Sequence, residues 1–147
     1  MNVLNKLIDT LEKSGNNLQP CTMSEVRSLE GHYNVSLPLV YQEFLLAMGK
    51  GAGMYMRGSS AFFDEIFDLR SWAVDLVKDN KLERLPPDSF VFWMHQGYQA
   101  AFFIIDGNDN PKVYYFSEGK GQREFVIVEN CLSDFFYSQL MLTNDKQ

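Results

Sequence analysis

One stretch, Leu29 to Gly53, constrains the fold more than any other: LEGHYNVSLPLVYQEFLLAMGKGAG. It reads as the end of one helix, a Leu-Pro corner, a second helix and a glycine-rich exit. Pro38 suits the first turn of a helix, because its fixed φ fits there and its missing N–H would have no intrahelical partner anyway. Ser36, two residues earlier, is the expected cap. Leu39, Val40, Phe44, Leu45 and Met48 recur at helical spacing, which predicts a helix over 37–48. Gly49 and Gly51 follow at the point where a helix exit commonly needs a left-handed residue.

The rest of the chain divides into two patterns. Leu4, Leu7, Ile8 and Leu11 predict an amphipathic helix over 2–14. Its polar face carries Lys6, Asp9, Glu12 and Lys13 rather than a basic stripe, so it is expected to dock on a core and not on a membrane. Thr22 and Glu25 have capping-box spacing and open a second helix running to about Tyr33. Residues 51–60 read as a loop with a short strand at Met54–Met56. Ile66–Leu69 reads as another strand, followed by a helix over 69–79 that Asp68 caps and that turns Trp72, Ala73 and Leu76 inward. Beyond the polar connection 80–88 the period changes. Phe90–Met94, Gln99–Ile105, Val113–Phe116 and Phe125–Val128 are short runs rich in β-branched and aromatic residues. Gly97, Asp106-Gly107, Asn110-Pro111 and Gly119–Gly121 punctuate them, the pattern of an antiparallel meander. Leu132, Phe135, Phe136, Leu140 and Met141 close the chain as a helix. These runs predict an α+β fold: N-terminal helices packed on a mainly antiparallel sheet of about five or six strands, plus a C-terminal helix. At 147 residues, a single domain over 1–147 is expected.

Several of these segments share an order with one known family. Leu29-Glu30, Val35, Leu37-Pro38, Tyr41, Phe44-Leu45, Gly49 and Gly51 resemble the SUKH superfamily, the group of the Smi/Knr-type fungal cell-wall regulators and many bacterial toxin-immunity proteins. The segment VFWMHQGYQAAFF, Val91 to Phe103, resembles the HQGY-type strand pair of one branch of that group. Asp109 to Phe116 resembles the next family strand, which usually carries Pro-Val-Tyr followed by an aromatic residue. Leu132 to Phe136 resembles the closing helix. The likeness runs from about Ser24 to Leu140. Ala100 and Ala101 depart from it, standing where the branch more often has a large aromatic. Either another side chain fills that space or a shallow pocket opens there.

Composition limits the function classes. The formal net charge is −6. Phosphate backbones demand Lys and Arg patches, so nucleic acid is not expected as a direct ligand. A basic protein partner is compatible with that charge, and so is a simple gain in solubility. No run of eighteen apolar residues predicts a membrane span. No secretory signal is evident at the N-terminus, and the two cysteines, Cys21 and Cys131, are expected as free thiols of a cytoplasmic protein.

Candidate chemistry is sparse. His32, His95, Cys21 and Cys131 match no zinc spacing, so no metal site and no cofactor are expected. Cys131 lies at a predicted helix start, which favours a thiolate, but no base accompanies it, so a small core or cap residue is the better reading. Asp106 to Asn110 resembles the start of a calcium loop without its closing glutamate, which favours a hairpin turn. No catalytic residue is assigned, and the protein is expected to be no enzyme.

What remains points to binding. His95-Gln96-Gly97-Tyr98 serves either as a plain turn or as a recognition edge, since Tyr and Trp supply rigid contact area that also hydrogen-bonds. About one third of Tyr55, Phe62, Phe63, Trp93, Tyr98 and Tyr114 are expected to line an exposed groove. Asp64, Glu65 and Asp68 form an acidic cluster, by default a solvated face. The resemblance implies an immunity protein that binds and neutralises a toxin, commonly a basic nuclease domain. The expected partner-binding set is then Trp93, His95 and Tyr98 with Asp64, Glu65 and Asp68. Its rivals are a regulatory scaffold for cell-wall or glucan synthesis, and a small-molecule binder with a pocket around Trp93, Tyr98 and Ala100.

Overall fold

A computed structural model describes residues 2–119 and 124–145. Helix α1 (Asn5–Lys13) buries Leu7 and Leu11, and the N–H of Leu4 before it donates to Glu43 Oε1 at 2.9 Å. Helix α2 (Met23–Tyr33) opens with the expected capping box. The Glu25 N–H donates to Thr22 Oγ1, and the Thr22 N–H donates back to the Glu25 carboxylate. Asn34, left-handed at φ 55°, ends it.

Helix α3 (Leu39–Met48) corrects the expected cap. Pro38 is itself the cap residue, extended at φ −55° and ψ 145°, and among the described residues no side chain caps the helix. Ser36 is not needed because a distant carbonyl does the work: the Val40 N–H donates to Asp109 O at 3.0 Å. This bond ties the helix to a loop of the second half of the chain. At the other end, Gly49 is helical at φ −62°, and the unusual backbone falls on Gly51 at φ 156°. Gly49 meets a different demand. A Cβ there would lie 2.5 Å from Cys21 Sγ and 2.7 Å from Leu45 O.

The strands β1 (Leu18–Gln19) and β2 (Gly51–Ala52) pair into a small antiparallel ribbon that the sequence reading missed. Residues 54–56 form successive turns rather than a strand. The main sheet begins at β3 (Ser59–Ser60). The expected strand at Ile66–Leu69 and the helix after it are one continuous helix, α4 (Phe63–Asp79). Ile66, Leu69, Ala73, Leu76 and Val77 form one buried helical stripe through the whole span. Phe62, not Asp68, occupies the cap position, and Trp72 lies off the stripe and is exposed.

The meander follows as expected. Strands β4 (Ser89–His95), β5 (Gln99–Ile104), β6 (Val113–Ser117) and β7 (Val126–Glu129) extend β3 into a five-stranded antiparallel sheet in chain order. Helix α5 (Leu132–Asp145) closes the fold. Tyr41 of α3 meets Phe90, Phe92 and Phe103 edge-on, and Phe135 and Phe136 of α5 meet Phe92 from the same side. Part of the core therefore sits between this sheet face and helices α3 and α5, and the same cluster continues into α1, α2 and α4. Helix α4 packs along β4, where Arg70 donates to the carbonyl and hydroxyl of Ser89. The architecture is α+β, with helices on a mainly antiparallel sheet.

Candidate functional site

Two irregularities in the sheet build the site. Opposite β5, Val91 faces Phe102 and Trp93 faces Ala101, so Phe92 is an extra residue in β4. Opposite β6, Tyr114 faces Ile127 and Val113 faces Glu129, so Val128 is an extra residue in β7. A bulge breaks strict alternation and re-aims side chains. Phe92 and Trp93 consequently both reach Phe135, at ring-centroid distances of 5.1 and 5.6 Å. Val128 and Glu129 likewise both reach one groove on the α5 side of the sheet.

That groove has a volume of about 600 Å³. Its floor is Trp93, Tyr115, His95 and Gln99 on the sheet. One wall is the turn carrying Met54, Met56 and Arg57, and the other is α5 with Phe135, Ser138, Gln139 and Leu142. The Tyr55 hydroxyl donates to Phe136 O at 2.6 Å and so fastens one wall to the other. Burial pushes the Tyr55 phenol well above its ordinary range, which keeps this donor protonated.

Small residues make room for the floor. Trp93, Ala101 and Tyr115 lie side by side across three strands, and the Trp93 and Tyr115 rings approach to 6.3 Å over the alanine. On the opposite face Met94, Ala100 and Phe116 repeat the arrangement. Neighbouring large side chains thus fill the space the alanines leave, and all three members of that second row are buried.

Polar groups mark the groove's ends. His95 stacks on Trp93, and its Nδ1 lies 2.9 Å from Ser59 Oγ. Glu129 accepts from Ser138 Oγ at 2.8 Å. The Trp93 indole N–H is buried and has no hydrogen-bond partner among the described residues.

The residues singled out from the sequence divide across β3. Trp93 and His95 line the groove, while Tyr98 and Ala100 do not. Tyr98 stands exposed at the end of the β4–β5 turn, its ring 6.4 Å from that of His95. Gln96 at φ 52° and Gly97 at φ 78° make this a tight reversal of the type I′ kind. Glu65 accepts from Ser60 Oγ at 2.8 Å, whereas the adjacent Ser59 serves His95. Consecutive strand residues point to opposite faces, so the acidic start of α4, with exposed Asp64 and Asp68, lies across β3 from the groove. Of the six aromatics singled out, only Trp93 lines the groove; Tyr55 is buried behind it. Tyr115 and Phe135 were missed, because strand and helix patterns alone do not show which rows a bulge brings together.

The remaining candidates have structural roles. Cys21 is buried against Gly49, and burial pushes its thiol up to about 11, far from a thiolate at neutral pH. Cys131 precedes α5, its Sγ 3.4 Å from Ser133 Oγ, and Asn110 Oδ1 rather than the cysteine accepts the Ser133 N–H. The loop 106–110 is a run of side-chain-closed turns, Asp106 accepting from the Asn108 N–H and Asn108 from the Asn110 N–H. Among the described residues no three His, Cys, Asp or Glu side chains gather in a metal-binding group, and no helix is long and apolar enough to cross a membrane.

Comparison with protein families gives a match over residues 23–136, to the model SUKH_6, described as SMI1-KNR4 cell-wall. Comparison with curated proteins gives none.

Proposed function

The chain belongs to the SUKH family, of the SMI1-KNR4 cell-wall description, and on that premise we propose that it is a non-catalytic, cytoplasmic immunity protein that binds and neutralises a toxin, with a basic nuclease domain as the partner. The observation that carries this reading is the arrangement about β3. An aromatic and imidazole groove lies on one side of the strand and an acidic helix end on the other, joined through Ser59 and Ser60. Aromatic anchors in a partly desolvated groove supply affinity. Asp64, Glu65 and Asp68, within a chain of net charge −6, steer a cationic domain toward them. Tyr98 stands at the turn beside His95 as a rigid contact. Together these residues cover the substrate channel of the nuclease and keep nucleic acid out.

The test is neutralisation. The toxin domain encoded beside this gene is expressed with and without this protein, and nuclease activity is assayed on the purified mixture. Stoichiometric inhibition supports the reading. Full nuclease activity in the presence of excess protein, or no toxin gene in the neighbourhood, overturns it. A second reading rests on the matched family's own description, which names the cell wall: a regulatory scaffold for wall or glucan synthesis. It predicts a synthase or its regulator as the bound protein and no effect on a nuclease.

A further inference from the structure

We propose that the Trp93 groove is a receptor for an apolar residue of an extended polypeptide, whose main-chain carbonyl accepts a hydrogen bond from the Trp93 indole. This names the ligand chemistry of the groove and rests on the reading of the protein as a binding module, though not on the partner being a toxin.

Three observations converge. First, both bulges in the sheet fall on rows that line this groove, one aiming Trp93 and the other Val128 and Glu129. Bulges are over-represented beside functional sites because they re-aim side chains that regular alternation would turn away. Second, the lining is apolar over most of its extent, with exposed Met54 and Leu142 at its mouth. An open apolar groove of about 600 Å³ has room for a large side chain and its flanking main chain. Third, the Trp93 indole N–H is a donor without an acceptor among the described residues, on a residue only 5% exposed. Leaving such a donor unpaired has a desolvation cost, which a ligand acceptor removes.

Charge selects the kind of acceptor. Among the described residues the lining carries one carboxylate, Glu129, and one guanidinium, Arg57. A neutral amide carbonyl adds no charge beside Glu129, whereas a carboxylate would meet a like charge at that end of the groove. The N–H is buried, so a ligand reaches it only by displacing part of the lining. Met54 and Met56 are suited to this, because unbranched thioether side chains repack easily.

The experiment reads the indole proton directly. Trp72 is exposed on α4, away from the groove, so Trp72→Phe leaves Trp93 as the sole indole. The ¹⁵N-labelled variant is titrated with N-acetyl-phenylalaninamide, which carries an apolar ring and neutral amide carbonyls. A saturable downfield shift of the Trp93 indole proton is expected, with a Kd on the order of 1 mM for a ligand of that size. N-acetyl-phenylalanine, with a carboxylate in place of the amide, should bind more weakly, and toluene should leave the proton without a downfield shift. Met54→Glu, at an exposed rim position, should abolish the titration. An unmoved indole proton, an equal shift with toluene, tighter binding of the carboxylate, or an unchanged titration in Met54→Glu would each overturn the proposal. These outcomes are independent of toxin neutralisation, so the groove chemistry and the partner assignment can fail separately.

Discussion

Gly49 shows how a residue can matter for a reason its sequence context does not display. A glycine after a helix suggests a left-handed stop, yet this one is helical and marks a close approach to Cys21 and Leu45. Gly49→Ala should therefore destabilise the protein by about 1–3 kcal/mol, the usual cost of overpacking. Urea denaturation measures it, and adding Cys21→Ala should recover part of the loss by removing the sulfur the new methyl meets. No recovery would mean that the clash with the Leu45 backbone dominates. Other single residues were legible for plain reasons. Trp93 and His95 were singled out because a rigid aromatic beside an imidazole suits recognition, and the structure places both in the groove. Trp72 lies within an apolar helical run, which suggests an inward side chain. The stripe that is buried passes one position away, through Leu69 and Ala73.

At the scale of elements, regular periods were readable and their interruptions were not. The capping box of α2 followed from Thr22 and Glu25 alone, because that motif is local. Thr22→Ala should lower stability by about 1 kcal/mol, the typical value for a lost cap, as measured by thermal or urea unfolding. The pH dependence has a definite sign. Hydrogen bonds from Lys50 first, and then from the Thr22 N–H, hold the Glu25 carboxyl below its usual 4.5. A carboxylate lowered on folding stabilises the folded state above its unfolded value, and that contribution is lost as pH falls through the folded value. The stability difference between the wild type and Glu25→Gln should therefore be present at neutral pH and shrink below about 4.5. A difference unchanged down to pH 3 would refute the ion pair's role. By contrast, the split of α4 into a strand and a shorter helix was a wrong choice of period for Ile66–Leu69, four apolar-rich residues that fit either template. The two-residue strands β1, β2 and β3 have no period to read at all. The bulges at Phe92 and Val128 leave no compositional trace, so the groove they shape could not be outlined from the sequence, although two of its floor residues could be named.

At the scale of the molecule, the arrangement across β3 separates two contributions to binding that kinetics can resolve. Asp64 and Asp68 are exposed on the first two turns of α4 and lie apart from the groove, so they are placed to act at long range. Exposed charges are screened over a Debye length of about 8 Å at physiological salt. If the partner is the proposed toxin domain, its association should therefore slow as salt rises, and Asp64→Asn with Asp68→Asn should lower the association rate while leaving dissociation nearly unchanged. Tyr98 is placed differently. It is an exposed, rigid ring on a tight turn next to His95, where truncation removes contact area and not charge. Tyr98→Ala should raise the dissociation rate about fivefold or more, as for a residue contributing over about 1 kcal/mol, with little change in salt dependence. Surface-binding kinetics on the three proteins at low and high salt measure both effects. If Tyr98→Ala folds normally and dissociates at the wild-type rate, the turn is not a contact and only packs the end of the sheet. If the two asparagine substitutions leave the salt dependence intact, the steering charge lies elsewhere on the acidic surface, and the α4 end is a solvated face like any other.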